Sequence, residues 1–225
     1  MKQFSRQFKI IDPELLNKRI LIIGAGGIGS WTTLALAKMG CKDITVMDFD
    51  TVDIENIGSQ IYRREDVNKK KVTALKEIIG SMVSNPEDVD KPYEIRTIDA
   101  EWNPEMELKY EVIISALDSM DTRMELWKDI KDNPYVLYYI DGRMGGETMK
   151  IIYLPLVEAT LELYQKYEKT LFPPEKVDNT PCTAKAICYN TFMIGSVIAS
   201  MVKSICSNQP VPFDFCFDTA SLRQI

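Results

Sequence analysis

The chain contains no histidine, and that absence excludes any mechanism built on an imidazole base, a Ser-His-Asp triad or a histidine metal ligand. Cysteine is scarce and has no pairing pattern. The five thiols, Cys41, Cys182, Cys188, Cys206 and Cys216, are an odd number with no CxxC spacing. A disulfide framework and a structural zinc site are therefore both unexpected, and the usage suits a reducing compartment. Basic residues are outnumbered, 27 Lys and Arg against 33 Asp and Glu for a net charge of −6, which argues against a general nucleic-acid-binding face. There is no run of about 18 apolar residues, and the first residues, MKQFSRQFKI, lack the apolar core of a signal peptide. The expectation is a cytoplasmic protein without a membrane or nucleic-acid partner. Internal repeats and low-complexity segments are absent as well.

What is present is ample apolar material, 45% of 225 residues, enough for a full core in one large domain. The chain is organised around Arg19 to Gln60. An apolar strand at Ile20 to Ile23 runs into the glycine turn Gly24-Ala25-Gly26-Gly27-Ile28-Gly29. A helix is expected over Ser30 to Met39, and a second strand, Ile44 to Met47, ends on Asp48. Glycines allow a tight turn and bring backbone close to a phosphate. A helix start offers unpaired N–H groups and the positive end of its dipole. Asp48, 24 positions past Gly24, stands where an acid binds ribose hydroxyls. Strand, glycine turn, helix, strand and acid in that order form a mononucleotide-binding half of a Rossmann-like fold, and the order leaves open which nucleotide is bound.

Further along, Asn68 to Met82 reads as a helix with Val72, Leu75, Ile78 and Ile79 on one face. It carries Lys69, Lys70, Lys71 and Lys76, with few acids nearby in sequence, so a solvated face is the simple reading of most of them. A turn is expected at Asn85 to Pro92 and a short strand at Glu94 to Ile98. Val112 to Ala116 has the continuous apolar character of a central parallel strand and ends at Leu117-Asp118, where open α/β sheets hold ligands. A helix at Thr122 to Lys131 follows, with Asp121 as its cap. A strand at Val136 to Ile140 leads into Asp141-Gly142-Arg143-Met144-Gly145-Gly146. Met149 to Leu154 reads as another strand, open to an antiparallel placement. Glu158 to Pro181 is a polar excursion with a short helix, Ile187 to Ile205 is the most apolar helix, and Phe213 to Phe217 is the last strand. The fold class is α/β: a Rossmann-like, doubly wound, mostly parallel sheet with a mixed C-terminal extension. Its expected organisation is an N-terminal arm over 1–18, a nucleotide-binding core over 19–154, a crossover excursion over 155–182 and a C-terminal helix and strand over 183–225.

These motifs together resemble the ThiF/MoeB/HesA group, the adenylating relatives of ubiquitin-activating enzymes. The resemblance rests on Phe4-Ser5-Arg6-Gln7, Gly24 to Ser30, Asp48-Phe49-Asp50, Val52, Asn56 and Gln60. It continues through Asp66-Val67, Lys71 and the strand ending in Asp118 with Thr122-Arg123 behind it. It covers most of residues 1 to 150 and weakens beyond. It implies activation of a carboxylate by ATP. The carboxylate would belong to the C-terminus of a ubiquitin-like or sulfur-carrier protein, or of a peptide. Such chemistry needs alignment and charge neutralisation more than proton transfer, so it suits a chain without histidine.

By that resemblance Gly24, Gly26, Gly27 and Gly29 border the nucleotide, and Asp48 takes the ribose hydroxyls with Asp50 as a secondary acid. Asn56, Gln60 and Leu117 line the site, Asn56 toward the phosphates. Lys71 offsets phosphate charge, with Lys69 and Lys70 as rivals for that role. Asp118 holds Mg2+, no zinc is expected, and Arg6 is a finger supplied across a homodimer. Cys182 is either a thioester-forming nucleophile or a half-buried structural thiol. Cys188, Cys206 and Cys216 lie in apolar segments and are expected in the core. One departure stands out: the family's Arg-Gln pair is Ser59-Gln60 here, so a phosphate-facing cation is missing. Arg63, Arg64 or Arg143 are candidates to replace it, and Arg143, just beyond a strand end, is the favoured one. A pseudo-enzyme subunit of a heterodimer and a nicotinamide-dependent oxidoreductase are the alternative readings.

Overall fold

The computed structural model describes residues 2–84, 93–172 and 186–225. The turn expected over 85–92 and the part of the excursion that contains Cys182 lie outside the described residues. Among the described residues eight strands form one sheet in the order β3-β2-β1-β4-β5-β6-β7-β8. They are β1 Arg19–Ile23, β2 Asp43–Met47, β3 Arg96–Ile98, β4 Val112–Ser115, β5 Tyr138–Gly145, β6 Thr148–Pro155, β7 Asp214–Asp218 and β8 Arg223–Gln224. β3, β2, β1, β4 and β5 pair in parallel, whereas β5 to β8 pair antiparallel. This is the expected parallel half with a mixed extension, and β6 takes the antiparallel placement. Phe213 to Phe217 is not the last strand, because β8 pairs beyond it.

The helices are α1 Gly27–Met39, α2 Lys71–Val83, α3 Met120–Ile130, α4 Leu161–Glu168 and α5 Cys188–Cys206. Strand residues alternate between two helical layers because successive side chains leave a strand on opposite faces. Ile20 and Ile22 enter one core with Leu36, Leu75 and Ile198 of α1, α2 and α5. Leu21 and Ile23 enter a second core with Leu126, Trp127 and Tyr167 of α3 and α4. Burial on both sides explains why β1 and β4 read as unbroken apolar runs.

β5 is longer than its apolar stretch. Asp141 to Gly145 pair with Ile152 to Thr148 of β6, so the strand continues past Ile140, its expected end. Gly142 allows this. A Cβ there would stand 3.2 Å from both Ile28 Cγ2 and Ile198 Cδ1, so α1 and α5 press directly on the strand backbone. α2 begins at Lys71 rather than Asn68, because Asn68 has a φ of 73° and turns the chain before the helix starts.

The N-terminal arm docks at the ends of α1 and α2 remote from the glycine turn. Phe4 packs on Gly40, the left-handed C-cap of α1. The Gln7 side chain donates to the Met39 carbonyl, and the Gln3 side chain donates to the Val83 carbonyl at 2.7 Å. Both contacts satisfy carbonyls that a helix leaves unpaired at its C-terminus. No helix among the described residues is long and apolar enough to cross a membrane.

Candidate functional site

Strand order reverses between β1 and β4, since β2 and β3 lie on one side of β1 and β4 and β5 on the other. The crevice beyond the carboxyl ends at such a switch point is where open α/β sheets take ligands. The glycine turn and the end of β4 meet there. Gly24 has a φ of +99°, and a Cβ on it would stand 2.5 Å from the Ala116 carbonyl oxygen. A side chain on Gly29 would overlap the Gly24 carbonyl oxygen, so this glycine seats α1 on the turn rather than making room for a ligand. Gly27 faces α5, where Thr191 Cγ2 is 3.0 Å from its Cβ position. Gly26 borders open space, its nearest neighbour being Gln60 Nε2 at 4.0 Å. Gly26 is the N-cap of α1 and supplies no side-chain cap, which leaves the first N–H groups of α1 without a side-chain acceptor among the described residues.

Asp48, at the end of β2, braces this turn. Its Oδ2 accepts the Ala25 N–H at 2.6 Å and its Oδ1 accepts the Asp50 N–H at 2.7 Å. Tyr62, which the sequence did not single out, donates its hydroxyl to the Ala25 carbonyl at 2.7 Å. Burial first, and then the carboxylates Asp48, Asp50 and Asp66, push the Tyr62 pKa upward, so the phenol stays a donor. Gln60 reaches the same region with a buried Oε1 that has no hydrogen-bond partner among the described residues. Asn56 sits in a short helix over Ile54–Gly58, and its side chain accepts the Asp53 N–H at 2.9 Å in a capping box.

The lysine run separates into distinct partners, local ones for Lys69 and distant ones for Lys70, Lys71 and Lys76. Lys69 pairs with Asp66 and Glu77, Lys70 with Asp99 and Lys76 with Glu94. Lys71 is the buried one, 7% exposed, with its Nζ 2.7 Å from Asp50 Oδ2. Its backbone N–H also donates to the Asp50 carbonyl at 2.9 Å. Lys71 and Asp50 thus form one unit beside Asp48. The expected solvated face holds least well at Lys71.

Leu117 and Asp118 follow β4 after one residue, Ala116. Asp118 is exposed. The cap of α3 is Ser119, whose hydroxyl accepts the Thr122 N–H at 3.2 Å. Asp121 therefore lies in the first turn of α3 and does not cap it. Among the described residues no group of three or more acidic or cysteine side chains could hold a metal ion. A single carboxylate at a strand end matches the way Mg2+ is commonly held, through one or two carboxylates plus substrate phosphates and water.

Two of the proposed replacement cations are committed elsewhere. Arg63 forms a fork on Asp66, with contacts of 2.9 and 3.0 Å. Arg143 lies within β5 and not beyond its end. It donates twice to Asp141 Oδ2, at 2.9 and 2.7 Å, and to Thr170. Arg64 is exposed and makes no ion pair among the described residues. Ser59 offers its carbonyl to Trp31 Nε1 at 2.9 Å and to Thr191 Oγ1 at 2.8 Å. Arg6 is exposed on the docked arm, at the opposite end of α1 from Gly26. A helix of 13 residues is about 20 Å long, more than an arginine side chain can bridge. Cys41 is buried, whereas Cys188, Cys206 and Cys216 are only half-buried, short of the expected core placement.

The family model described as the ThiF family matches residues 6–220. The NEDD8-activating enzyme E1 catalytic subunit of Dictyostelium discoideum is 26% identical over 156 residues, covering 69% of this chain and 33% of that protein. The SUMO-activating enzyme subunit uba-2 of Caenorhabditis elegans is 31% identical over 176 residues, covering 75% of this chain and 29% of that protein. The tRNA threonylcarbamoyladenosine dehydratase of Haemophilus influenzae is 30% identical over 140 residues, covering 60% of this chain and 51% of that protein. The chain therefore spans about a third to a half of the length of these relatives. Among solved structures, Escherichia coli MccB with AMPCPP and MccA superimposes with a TM-score of 0.74 at 15% identity, over 99% of this chain and 70% of that one. PaaA superimposes with a TM-score of 0.73 at 19% identity, over 100% of this chain and 81% of that one. These two share the fold. The match across nearly all of its length, laid over a sheet with its glycine turn at the switch point, means that the chain belongs to the ThiF family.

Proposed function

We propose that this chain is an adenylyltransferase that activates a carboxylate with ATP. A carboxylate oxygen bonds to the α-phosphorus, the bond from that phosphorus to the bridging oxygen breaks, and pyrophosphate leaves with the electron pair. An acyl-adenylate remains. The observation that carries this reading is the crevice between β1 and β4. An α1 N-terminus without a side-chain cap stands on one side of it and Asp118 on the other, in a chain of the ThiF family.

The residues suit ATP and Mg2+. Open space at Gly26 and the first N–H groups of α1 favour an anion, while Asp48 keeps free lone pairs for ribose hydroxyls. The orphaned Gln60 Oε1 gains a partner from a bound donor. Asp118 would hold Mg2+, which when bound neutralises phosphate charge. Lys71, oriented by Asp50, sets a positive charge beside the same crevice. The acceptor class is the C-terminal carboxylate of a ubiquitin-like or sulfur-carrier protein, or of a peptide. Cys182 lies outside the described residues, and the proposed reaction ends at the adenylate.

The placement of Arg6 supports a homodimer in which each arm completes the neighbour's site. That would supply the cation missing at Ser59, given that Arg63 and Arg143 are engaged elsewhere. The pseudo-enzyme reading rests on Ser59 alone, and the nicotinamide-dependent reading gains nothing from the family match.

The test is a thermal melt with Mg-ATP and, separately, with NAD(H). A ligand at 100 times its Kd raises stability by about 2.7 kcal/mol. A rise with Mg-ATP that disappears in Asp118→Ala is the expected result. A rise with NAD(H) alone overturns the proposal.

A further inference from the structure

Asp141 is fully buried between two arginines that reach in opposite directions. Its Oδ1 accepts from Arg123 Nε at 2.7 Å. Its Oδ2 accepts from Arg143 Nε and Nη2, at 2.9 and 2.7 Å, and from the Tyr167 hydroxyl at 3.0 Å. Arg123, itself 3% exposed, passes its Nη2 to the Leu117 carbonyl at 2.5 Å. Arg143 passes its Nη1 to the Thr170 carbonyl at 2.8 Å and its Nη2 to Thr170 Oγ1 at 3.0 Å. One carboxylate thus ties the residue before Asp118 to the turn that ends α4.

We infer that Asp141 is a positioning residue, which through Arg123 and Arg143 fixes the Leu117–Asp118 loop against the C-terminal turn of α4 and so sets where the Asp118 carboxylate stands. Burying the Arg123 guanidinium and the Asp141 carboxylate is an inefficient source of stability, because desolvation offsets most of the attraction. Charge-assisted, forked hydrogen bonds do fix direction. The Asp118 side chain has no hydrogen-bond partner among the described residues, so its position comes from the backbone that carries it. That backbone is held by Ala116 N–H on the Ile23 carbonyl at 2.8 Å, by the Ser119 cap and by Arg123 on Leu117. Arg123 is the hold that ties this loop to β5, and Asp141 orients it. The link to metal binding rests on the adenylation reading; the mechanical coupling does not.

Asp141→Asn leaves the buried Arg123 and the half-buried Arg143 without their counter-charge and can unfold the chain, so the deciding variants are Arg143→Lys and Tyr167→Phe. Both keep the charge balance and loosen the grip on Oδ2. Amide hydrogen exchange of the ligand-free full chain is expected to quicken at Leu117 to Arg123 by about tenfold in Arg143→Lys, with β1 and α1 unchanged. Tyr167→Phe should produce a smaller change at the same amides. If only the turn around Thr170 quickens and Leu117 to Arg123 exchange as before, the inference is wrong. A second measurement compares ATP affinity with Mg2+ and with EDTA. The gain in affinity that Mg2+ brings should shrink in Arg143→Lys while affinity in EDTA stays the same. Equal loss in both conditions would mean a merely structural role and would overturn the inference. If the unaltered protein binds no ATP under either condition, the adenylation reading has failed, and the exchange measurement alone decides the coupling.

Discussion

Asp48 Oδ2 accepts the Ala25 backbone N–H at 2.6 Å, so the acid assigned to the ribose also clamps the glycine turn. Removing it affects folding and binding together. Asp48→Ala should cost about 1–3 kcal/mol, because it strands a backbone donor that held a charged partner. Asp48→Asn should recover part of that, since an amide oxygen can still accept. Urea denaturation of the two variants checks this, and equal losses would show that the clamp contributes nothing.

The Lys71–Asp50 pair gives a different signature. Lys71→Met keeps the buried stem and removes the charge, leaving Asp50 half-exposed to water, so stability should move by about 1 kcal/mol or less. If adenylation proceeds as proposed, its rate should fall by about a hundredfold or more, the scale at which losing one preorganised charge is felt. Pyrophosphate release measured beside a denaturation curve separates the two effects.

The glycines should divide by what their missing side chains would touch. Gly29→Ala forces a methyl onto the Gly24 carbonyl oxygen, a backbone atom that cannot turn away, and should cost about 3 kcal/mol or more. Gly26→Ala meets nothing closer than 4.0 Å. It should fold with a near-normal melting temperature but lose stabilisation by Mg-ATP. A Gly26→Ala protein that still responds fully to Mg-ATP would remove Gly26 from the site.

Acid should weaken one identifiable contact. Burial opposes ionisation of Asp66, but the Arg63 side chain and backbone N–H and the Lys69 ammonium outweigh it and hold the pKa at about 2. That is below the value of about 3.9 expected in an unfolded chain. The stabilisation is therefore complete above pH ~4 and is lost as pH falls toward ~2. In Asp66→Asn the melting temperature should start lower and fall less steeply between those limits, which a pH series of melts would reveal.

If the arm acts across a dimer, Arg6→Ala and Asp118→Ala should each abolish adenylation alone and regain part of it when the two are mixed and allowed to exchange subunits. No recovery after demonstrated exchange would place the role of Arg6 elsewhere.

The parallel half of the sheet was legible because β1 and β4 are apolar on both faces and the glycine turn has few alternative uses. The antiparallel extension was only partly legible. Asp141 to Gly145 carry glycines and charges that suggest a loop, yet pairing with β6 extends the strand through them. Lys70, Lys71 and Lys76 read as unpaired because their acids, Asp99, Asp50 and Glu94, come from other parts of the chain. Arg143 illustrates the same limit. Its position near a strand end suggested a free cation, whereas tertiary contact with Asp141 and Thr170 had already occupied it. Tyr62 left no local signal, since its value lies in one hydroxyl reaching the Ala25 carbonyl.

The pairing of β1 with β4 joins Ile20 to Val112, across nearly half the chain. The crevice between them therefore does not exist in any short fragment, however faithful its glycine turn. A growing chain that has emerged only through α1 carries the motif without the pocket. Nucleotide affinity should arrive abruptly, once the fourth strand has docked, because such distant pairing is a late and cooperative event in folding. Bound ATP would then serve as a reporter of the completed sheet.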